Sequence, residues 1–76
     1  MTLDKALQSH PLDIHTPNLR ALVWLHWHGP KYQLAAKLHM HPSTLSAGLR
    51  GRTPLNPELI TRILVALALE VKARHE

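Results

Sequence analysis

Six prolines and three glycines punctuate this chain of 76 residues, and their placement limits its possible folds more than any other feature. They divide the sequence into pieces of helix length, and none of these pieces alternates apolar and polar residues as a half-buried strand would. Proline is well tolerated in the first turn of a helix, and glycine is common just past the last turn. The pattern therefore predicts an all-α fold.

Start and stop signals place four helices. Thr16-Pro17 predicts an N-cap followed by proline, Pro42 predicts a helix start with Gly51 just past its end, and Asn56-Pro57 is the clearest start signal in the chain. The predicted helices cover residues 17–28, 31–38, 42–50 and 57–73. We place the main domain at 16–76 and an N-terminal segment at 1–15, in which residues 3–9 could form a further short helix.

The composition favours a folded domain outside the membrane. Hydrophobic residues make up 45% and charged residues 18%, which are ordinary proportions for a globular protein. The longest apolar run, Ile63 to Leu69, is far shorter than the roughly 20 residues that span a bilayer. Without cysteine there is no disulfide, so helix packing or dimerisation must stabilise so small a domain. A cytoplasmic location fits this composition.

Basic residues dominate the middle of the chain. The net charge is +4, and no acid occurs between Asp13 and Glu58. Five basic residues lie in that stretch: Arg20, Lys31, Lys37, Arg50 and Arg52. A central field of one sign suits an anionic partner, with nucleic acid the first candidate. Charge alone leaves a merely solvated basic face equally open.

Catalytic and metal chemistry find little support in the sequence. The five acids lie toward the two ends, and no glycine-rich phosphate loop is present, so we expect neither an enzyme nor a cofactor. Seven histidines raise the question of zinc. However, His26 and His28 would point about 200° apart on a helix, so they cannot chelate from one face, and no metal site is predicted.

The segment from Gln33 to Gly51, QLAAKLHMHPSTLSAGLRG, resembles the helix-turn-helix of the phage Cro and repressor family, also called the XRE-like family. The family pattern is Leu-Ala-x-x-Leu, a glycine turn, and a recognition helix with a Ser-x-Ser-Thr-aliphatic-Ser start. The resemblance implies a compact lambda-repressor-like domain of four to five helices, with the helix-turn-helix at about 31–50. Here His39 replaces the turn glycine, and Gly48 stands where a branched aliphatic residue normally packs.

The resemblance also implies a site for double-stranded DNA, since the second helix of the motif enters the major groove. The positions that face bases are Pro42, Ser43, Thr44 and Ala47. The positions that contact phosphates are Lys31, Tyr32, Gln33, Arg50, Arg52 and Thr53. Because the base-facing side chains are short, specificity should depend on shape, water and apolar contact.

The last predicted helix has more apolar residues than one buried face needs. One stripe is Ile60, Ile63, Leu64, Leu67 and Val71. The second, a predicted dimer interface, is Leu59, Ala66, Leu69 and Ala73.

Four other side chains have predicted environments. Trp27 should lie in the core, whereas Trp24 could pack under the N-terminal segment or against a partner subunit. Lys37 and Arg62 are expected to be solvated.

These features together predict a Cro-like repressor that binds a two-fold operator as a homodimer, in the cytoplasm of a bacterial or phage-infected cell. One alternative is a DNA-binding antitoxin or an operon autoregulator, which would bind a second protein. Another is a protein-interaction module that uses the same scaffold without DNA.

Overall fold

A computed structural model describes residues 1–75 and shows five α-helices and one 3-10 turn in that range. The helices are α1 (Leu3–Gln8), α2 (Thr16–His26), α3 (Lys31–Lys37), α4 (Pro42–Leu49) and α5 (Pro57–His75), and the 3-10 turn is Pro11–Asp13. Residues 1–75 contain no strand, which confirms the all-α prediction. Glu76, the last residue of the predicted domain, lies outside the described residues.

The core lies along the inner side of α5, the longest helix. Ile60, Ile63, Leu64 and Leu67 are buried there and Val71 is half-buried, so the predicted inner stripe of this helix is confirmed. The helices α1 and α2 both pack on α5, and α4 packs on α2 and α3. The result is a globule with a Cα radius of gyration of 11.4 Å.

The N-terminal segment belongs to the same core as the remaining helices. Leu3 and Ala6 of α1 are buried, and so is Ile14 just after the 3-10 turn. Thr2 caps α1, since its hydroxyl oxygen accepts a hydrogen bond of 3.2 Å from the backbone N–H of Lys5. Residues 1–15 therefore pack on the domain rather than extend from it.

The limits of α2 differ from the prediction at both ends. The N-cap is His15, not Thr16, because the carbonyl of His15 already accepts hydrogen bonds from the N–H groups of Asn18 and Leu19. The helix ends at His26 rather than at residue 28, because Trp27 has extended backbone angles. By contrast, the predicted Asn56 cap of α5 is confirmed by a 2.7 Å bond from the N–H of Leu59.

The two tryptophans have opposite environments. Trp27 is only 8% exposed, as predicted, and its indole N–H donates to the carbonyl of Pro30 at 3.0 Å. Trp24 is 78% exposed, so the alternative in which it packs under the N-terminal segment is wrong, and its packing against a partner subunit stays a prediction. It lies on the outward side of α2, where the buried stripe of Leu19, Leu22 and Val23 leaves no inward position for it.

Two basic side chains that we expected to be simply solvated have partners within the domain. Arg62 on α5 donates through Nη2 to the carbonyl of Leu38 at 2.9 Å, and it thereby caps the end of α3. The Nζ of Lys37 lies 5.4 Å from the centroid of the Trp27 ring, within range of a cation–π interaction. Both contacts fix the position of α3.

None of the helices within residues 1–75 combines the length and apolar character needed to cross a membrane.

Candidate nucleic-acid interface

A tight turn joins α3 to α4. The N–H of His39 donates to the carbonyl of Ala36 at 3.1 Å, and the N–H of Met40 donates to the carbonyl of Ala35 at 3.0 Å. These two bonds form a Schellman motif, which requires a left-handed residue just after the helix. His39 has that conformation, with φ of 56°, so it takes the backbone geometry for which the turn glycine is usual.

The end of α4 repeats the same geometry. The N–H of Arg52 donates to the carbonyl of Ala47 at 2.9 Å, and the N–H of Gly51 donates to that of Gly48 at 3.1 Å. Gly51 is the left-handed residue here, with φ of 79°, as expected for the glycine after this helix. Two Schellman turns therefore fix where α4 begins and where the chain leaves it.

The inner face of α4 fits closely against the rest of the domain. Leu45 and Leu49 are buried, and so is Gly48. A Cβ atom added at Gly48 would lie 2.3 Å from Cδ2 of Leu55, so the side chain of Leu55 occupies the space that a branched aliphatic residue would fill. Leu55, in the loop that follows α4, therefore packs directly against Gly48.

The first turn of α4 faces outward. Three of the predicted base-contacting residues, Pro42, Ser43 and Thr44, are exposed, and Ala47 is half-buried. The exposed residues all precede Leu45, the first buried position of the helix. This turn is free to contact a partner while the rest of α4 is anchored in the core.

A histidine caps α4, which the sequence analysis did not predict. The Nδ1 of His41 accepts a 3.1 Å hydrogen bond from the N–H of Ser43 and lies 2.7 Å from its hydroxyl oxygen. Because Nδ1 is the acceptor of the N–H, the hydroxyl of Ser43 donates to it as well. The other ring nitrogen, Nε2, then carries the proton and is a hydrogen-bond donor.

All six predicted phosphate-contacting residues are exposed. They form two groups along the chain, one in the first turn of α3 and one at and after the end of α4. The first group is Lys31, Tyr32 and Gln33, and the second is Arg50, Arg52 and Thr53. Three of the six are cations, which attract phosphate oxygens, and the other three carry neutral polar groups that can hydrogen-bond to them.

Sequence reasoning missed a cluster on α2 that adjoins the first group. The exposed indole of Trp24 borders a shallow groove of about 420 Å³ together with Arg20 and Lys31. The i, i+4 spacing of Arg20 and Trp24 on a helix is the signal that could have revealed it. The cluster places an aromatic ring and a further cation beside the start of α3.

The outer side of α5 holds the predicted dimer residues, which the structure divides into two pairs. Leu59 and Ala66 are half-buried and pack against the core of their own chain. Leu69 is 62% exposed, and Ala73 is exposed too. Val65, which we did not predict, is 47% exposed on the same outer side. An open groove of about 300 Å³ runs beside these residues, between α5 and the end of α3.

Within the described residues, no three His, Asp or Glu side chains are grouped so that they could hold a metal ion.

Comparison with models of protein families, with curated proteins and with solved structures finds no match to this chain.

Proposed function

We propose that this protein is a sequence-specific regulator of transcription that binds double-stranded DNA, a Cro-like repressor of the XRE-like family. In this proposal α3, the Schellman turn and α4 act as a helix-turn-helix within a lambda-repressor-like domain. The helix α4 enters the major groove, and a homodimer occupies a two-fold operator from which it excludes polymerase.

The observation that carries the proposal is the outward first turn of α4. In a helix-turn-helix, the residues at the start of the second helix meet the base edges. Here Pro42, Ser43 and Thr44 are exposed at that start, whereas Leu45 and Leu49 of the same helix are buried. A helix anchored at one side and free at its N-terminal turn suits insertion into a groove.

The cap of α4 limits which bases the Ser43 hydroxyl can recognise. Since the Ser43 hydroxyl donates to Nδ1 of His41, only its lone pairs remain for a base. In the major groove the amino groups of adenine and cytosine are the donors that such an acceptor would select. The methyl groups of Thr44 and Ala47 supply apolar contact for a thymine methyl.

The cations set affinity and its dependence on salt. Lys31, Arg50 and Arg52 provide three charged phosphate contacts per protomer, and each neutralised phosphate contributes about −0.9 to the slope of log K against log salt. We therefore expect a slope of about −3 per protomer and about −5 for a dimer on its operator. Between 50 and 200 mM salt the affinity should fall about a thousandfold.

Selection of bound duplexes from a random-sequence pool at about 0.15 M salt tests the proposal, because salt at this level screens non-specific phosphate attraction. The expected result is an inverted repeat with half-site centres about 10 bp apart. Binding that is never sequence-selective and disappears as salt rises would contradict the proposal, and it would favour a protein-interaction module.

A matched pair of variants tests the assigned phosphate contacts. Arg50→Glu with Arg52→Glu should abolish operator binding while the helical content stays unchanged. The control is Lys5→Glu with Arg74→Glu, which alters the net charge equally at exposed positions far along the chain from α3 and α4. Equal losses in the two double variants would show that only the total charge matters.

The groove beside α5 favours a second candidate function, a DNA-binding antitoxin or operon autoregulator that also binds another protein. Its lining is mostly apolar and includes Leu38, Val65 and Leu69, which a partner helix could cover. Co-expression with the product of the adjacent gene, followed by co-purification, would separate this function from that of a repressor acting alone.

A further inference from the structure

His41 and Ser43 form a side-chain pair at the start of α4. The Nδ1 atom of His41 lies 3.1 Å from the backbone nitrogen of Ser43 and 2.7 Å from its hydroxyl oxygen. The shorter distance lies within the range of a well-formed hydrogen bond. Both residues are exposed, so the pair is open to water and to a partner.

A second histidine of the chain is a cap without such a pair. The Nδ1 atom of His10 accepts a hydrogen bond of 3.2 Å from the N–H of Leu12, two residues later. Leucine has no hydroxyl, so the ring of His10 binds only a backbone group there. The ring of His41, by contrast, also binds a hydroxyl that belongs to one of the proposed base-contacting residues.

The charge of His41 decides which atom donates in the 2.7 Å hydrogen bond. In the neutral ring Nδ1 is the acceptor, so the hydroxyl of Ser43 donates to it. In the imidazolium both ring nitrogens are donors, so Nδ1 donates and the hydroxyl oxygen accepts. The hydroxyl hydrogen is then free, and the oxygen keeps one lone pair. The same two atoms can stay bonded in both states, and only the direction of the bond changes.

We propose that His41 is a positioning residue whose protonation state sets the base preference of Ser43. The inference rests on the proposed function, because it concerns the helix that would enter the major groove. With His41 neutral, Ser43 presents only lone pairs and selects the amino group of adenine or cytosine. With His41 charged, Ser43 also presents its hydrogen, which the oxygens of guanine and thymine accept. Acid therefore relaxes the preference at the base pair that Ser43 contacts.

One hydrogen bond sets the size of the effect. Its loss lowers an affinity about fivefold, so we expect a preference of about fivefold for cytosine over guanine while His41 is neutral. The preference should fall below about twofold once His41 is charged, since either base then finds a partner. The added charge also attracts phosphate, but this attraction is the same for every sequence and cancels in the ratio.

Other ionisable side chains lie on the segments that pack against α4 or border the turn before it. They are Arg20 and His26 on α2, Lys31 and Lys37 on α3, His39 in the turn, and Glu58 and Arg62 on α5. Histidine is the only one of these residue types that ordinarily changes charge between about pH 5 and 8. Within residues 1–75 the hydroxyl of Ser43 is hydrogen-bonded to His41 and to neither of the other two histidines. His41 is therefore the group that can reverse this bond.

The pH dependence of base preference tests the inference. Duplexes that differ at single base pairs of the selected operator are compared at about pH 8 and about pH 5.5, on either side of the ordinary histidine pKa of about 6.5. The base pair that Ser43 contacts is the one at which Ser43→Ala abolishes the preference. The preference there should be strong at the higher pH and nearly absent at the lower one. An equal preference at both pH values, or no base pair that responds to Ser43→Ala, overturns the inference.

A pair of histidine variants assigns the effect to His41. His41→Asn retains a capping oxygen but cannot become charged, so its preference should stay strong at the lower pH. His10→Asn is the matched control, because it replaces the other capping histidine away from α4, and it should keep the pH dependence of the unchanged chain. A His41→Asn variant that is as sensitive to pH as the unchanged chain would refute the role of His41.

Nitrogen-15 NMR of the free protein tests the direction of the hydrogen bond without DNA. At about pH 8 the His41 ring should carry its hydrogen on Nε2 and none on Nδ1, and protonation of the ring should shift the amide resonance of Ser43. A hydrogen on Nδ1 at the higher pH would overturn the inference. A failed operator selection with the expected NMR result would overturn the DNA-binding function while the hydrogen-bond geometry stands. A successful selection with a base preference that ignores pH would overturn only the role of His41.

Discussion

The two residues with left-handed backbone conformations on either side of α4 lead to a pair of predictions about stability. His39 and Gly51 occupy equivalent positions in two Schellman motifs, with φ of 56° and 79°. Only one of them is the glycine that this conformation favours. We expect His39→Gly to stabilise the domain and Gly51→Ala to destabilise it.

The magnitude follows from the surroundings of each turn. A Cβ atom added at Gly51 would meet nothing closer than Cγ2 of Thr16 at 4.0 Å, so the cost of Gly51→Ala comes from the backbone alone. A left-handed non-glycine residue costs about 1–2 kcal/mol, and removing a glycine regains about 0.4–1 kcal/mol because the unfolded chain has less freedom. The net loss should be about 0.5–1 kcal/mol.

His39→Gly should stabilise the domain by a similar amount, because it relieves the cost of a left-handed non-glycine residue. The side chain of His39 is exposed, so its removal should sacrifice little packing. For a domain of this size, 1 kcal/mol corresponds to a change in Tm of about 4–8 °C. We therefore expect a rise of about 2–8 °C for His39→Gly and a fall of the same order for Gly51→Ala.

Thermal unfolding followed by far-ultraviolet circular dichroism measures both changes. His39→Ala is the control, because it removes the imidazole but retains a Cβ atom and should leave Tm nearly unchanged. The reasoning from φ is refuted if His39→Gly lowers Tm, or if His39→Ala raises it as much as His39→Gly does.

Two further changes test contacts that the sequence did not reveal. His41→Ala removes the cap of α4 and should lower the free energy of unfolding by about 1 kcal/mol. His41→Asn should retain most of this free energy, because the asparagine side chain can also cap a helix. Urea denaturation compares the two variants, and equal losses would argue against capping. Arg62→Met keeps the aliphatic stem but removes the donor to the carbonyl of Leu38. We expect the free energy of unfolding to fall by about 1 kcal/mol. An unchanged urea midpoint would show that this hydrogen bond does not stabilise the domain.

The sequence predicted one part of the proposed DNA-binding site, and the structure added another. The sequence predicted which residues occupy the start of α3, the start of α4 and the loop after it. The structure adds that these positions are exposed and that His41 engages the hydroxyl of Ser43. The position of Lys31 beside Arg20 and Trp24 came from the structure alone, since it joins residues of two helices.

Local signals determined the starts of α4 and α5 and the end of α4, whereas they misplaced both ends of α2. Asn56-Pro57 starts α5, Pro42 starts α4 and Gly51 follows its end, because capping and proline effects act within a single turn of helix and are therefore written in a few consecutive residues. The inner stripe of α5 was readable for a similar reason, since its period depends only on helix geometry.

Only the tertiary structure decided how the pieces meet. Arg62 bonds to Leu38, which lies 24 residues away, and Leu55 fills the space beside Gly48. Trp24 remains exposed while Trp27, three residues later, is buried. Such contacts depend on the angles at which helices cross and on which side chains fill the gaps between them. Those quantities arise from the packing of several segments at once, so no single stretch of sequence specifies them.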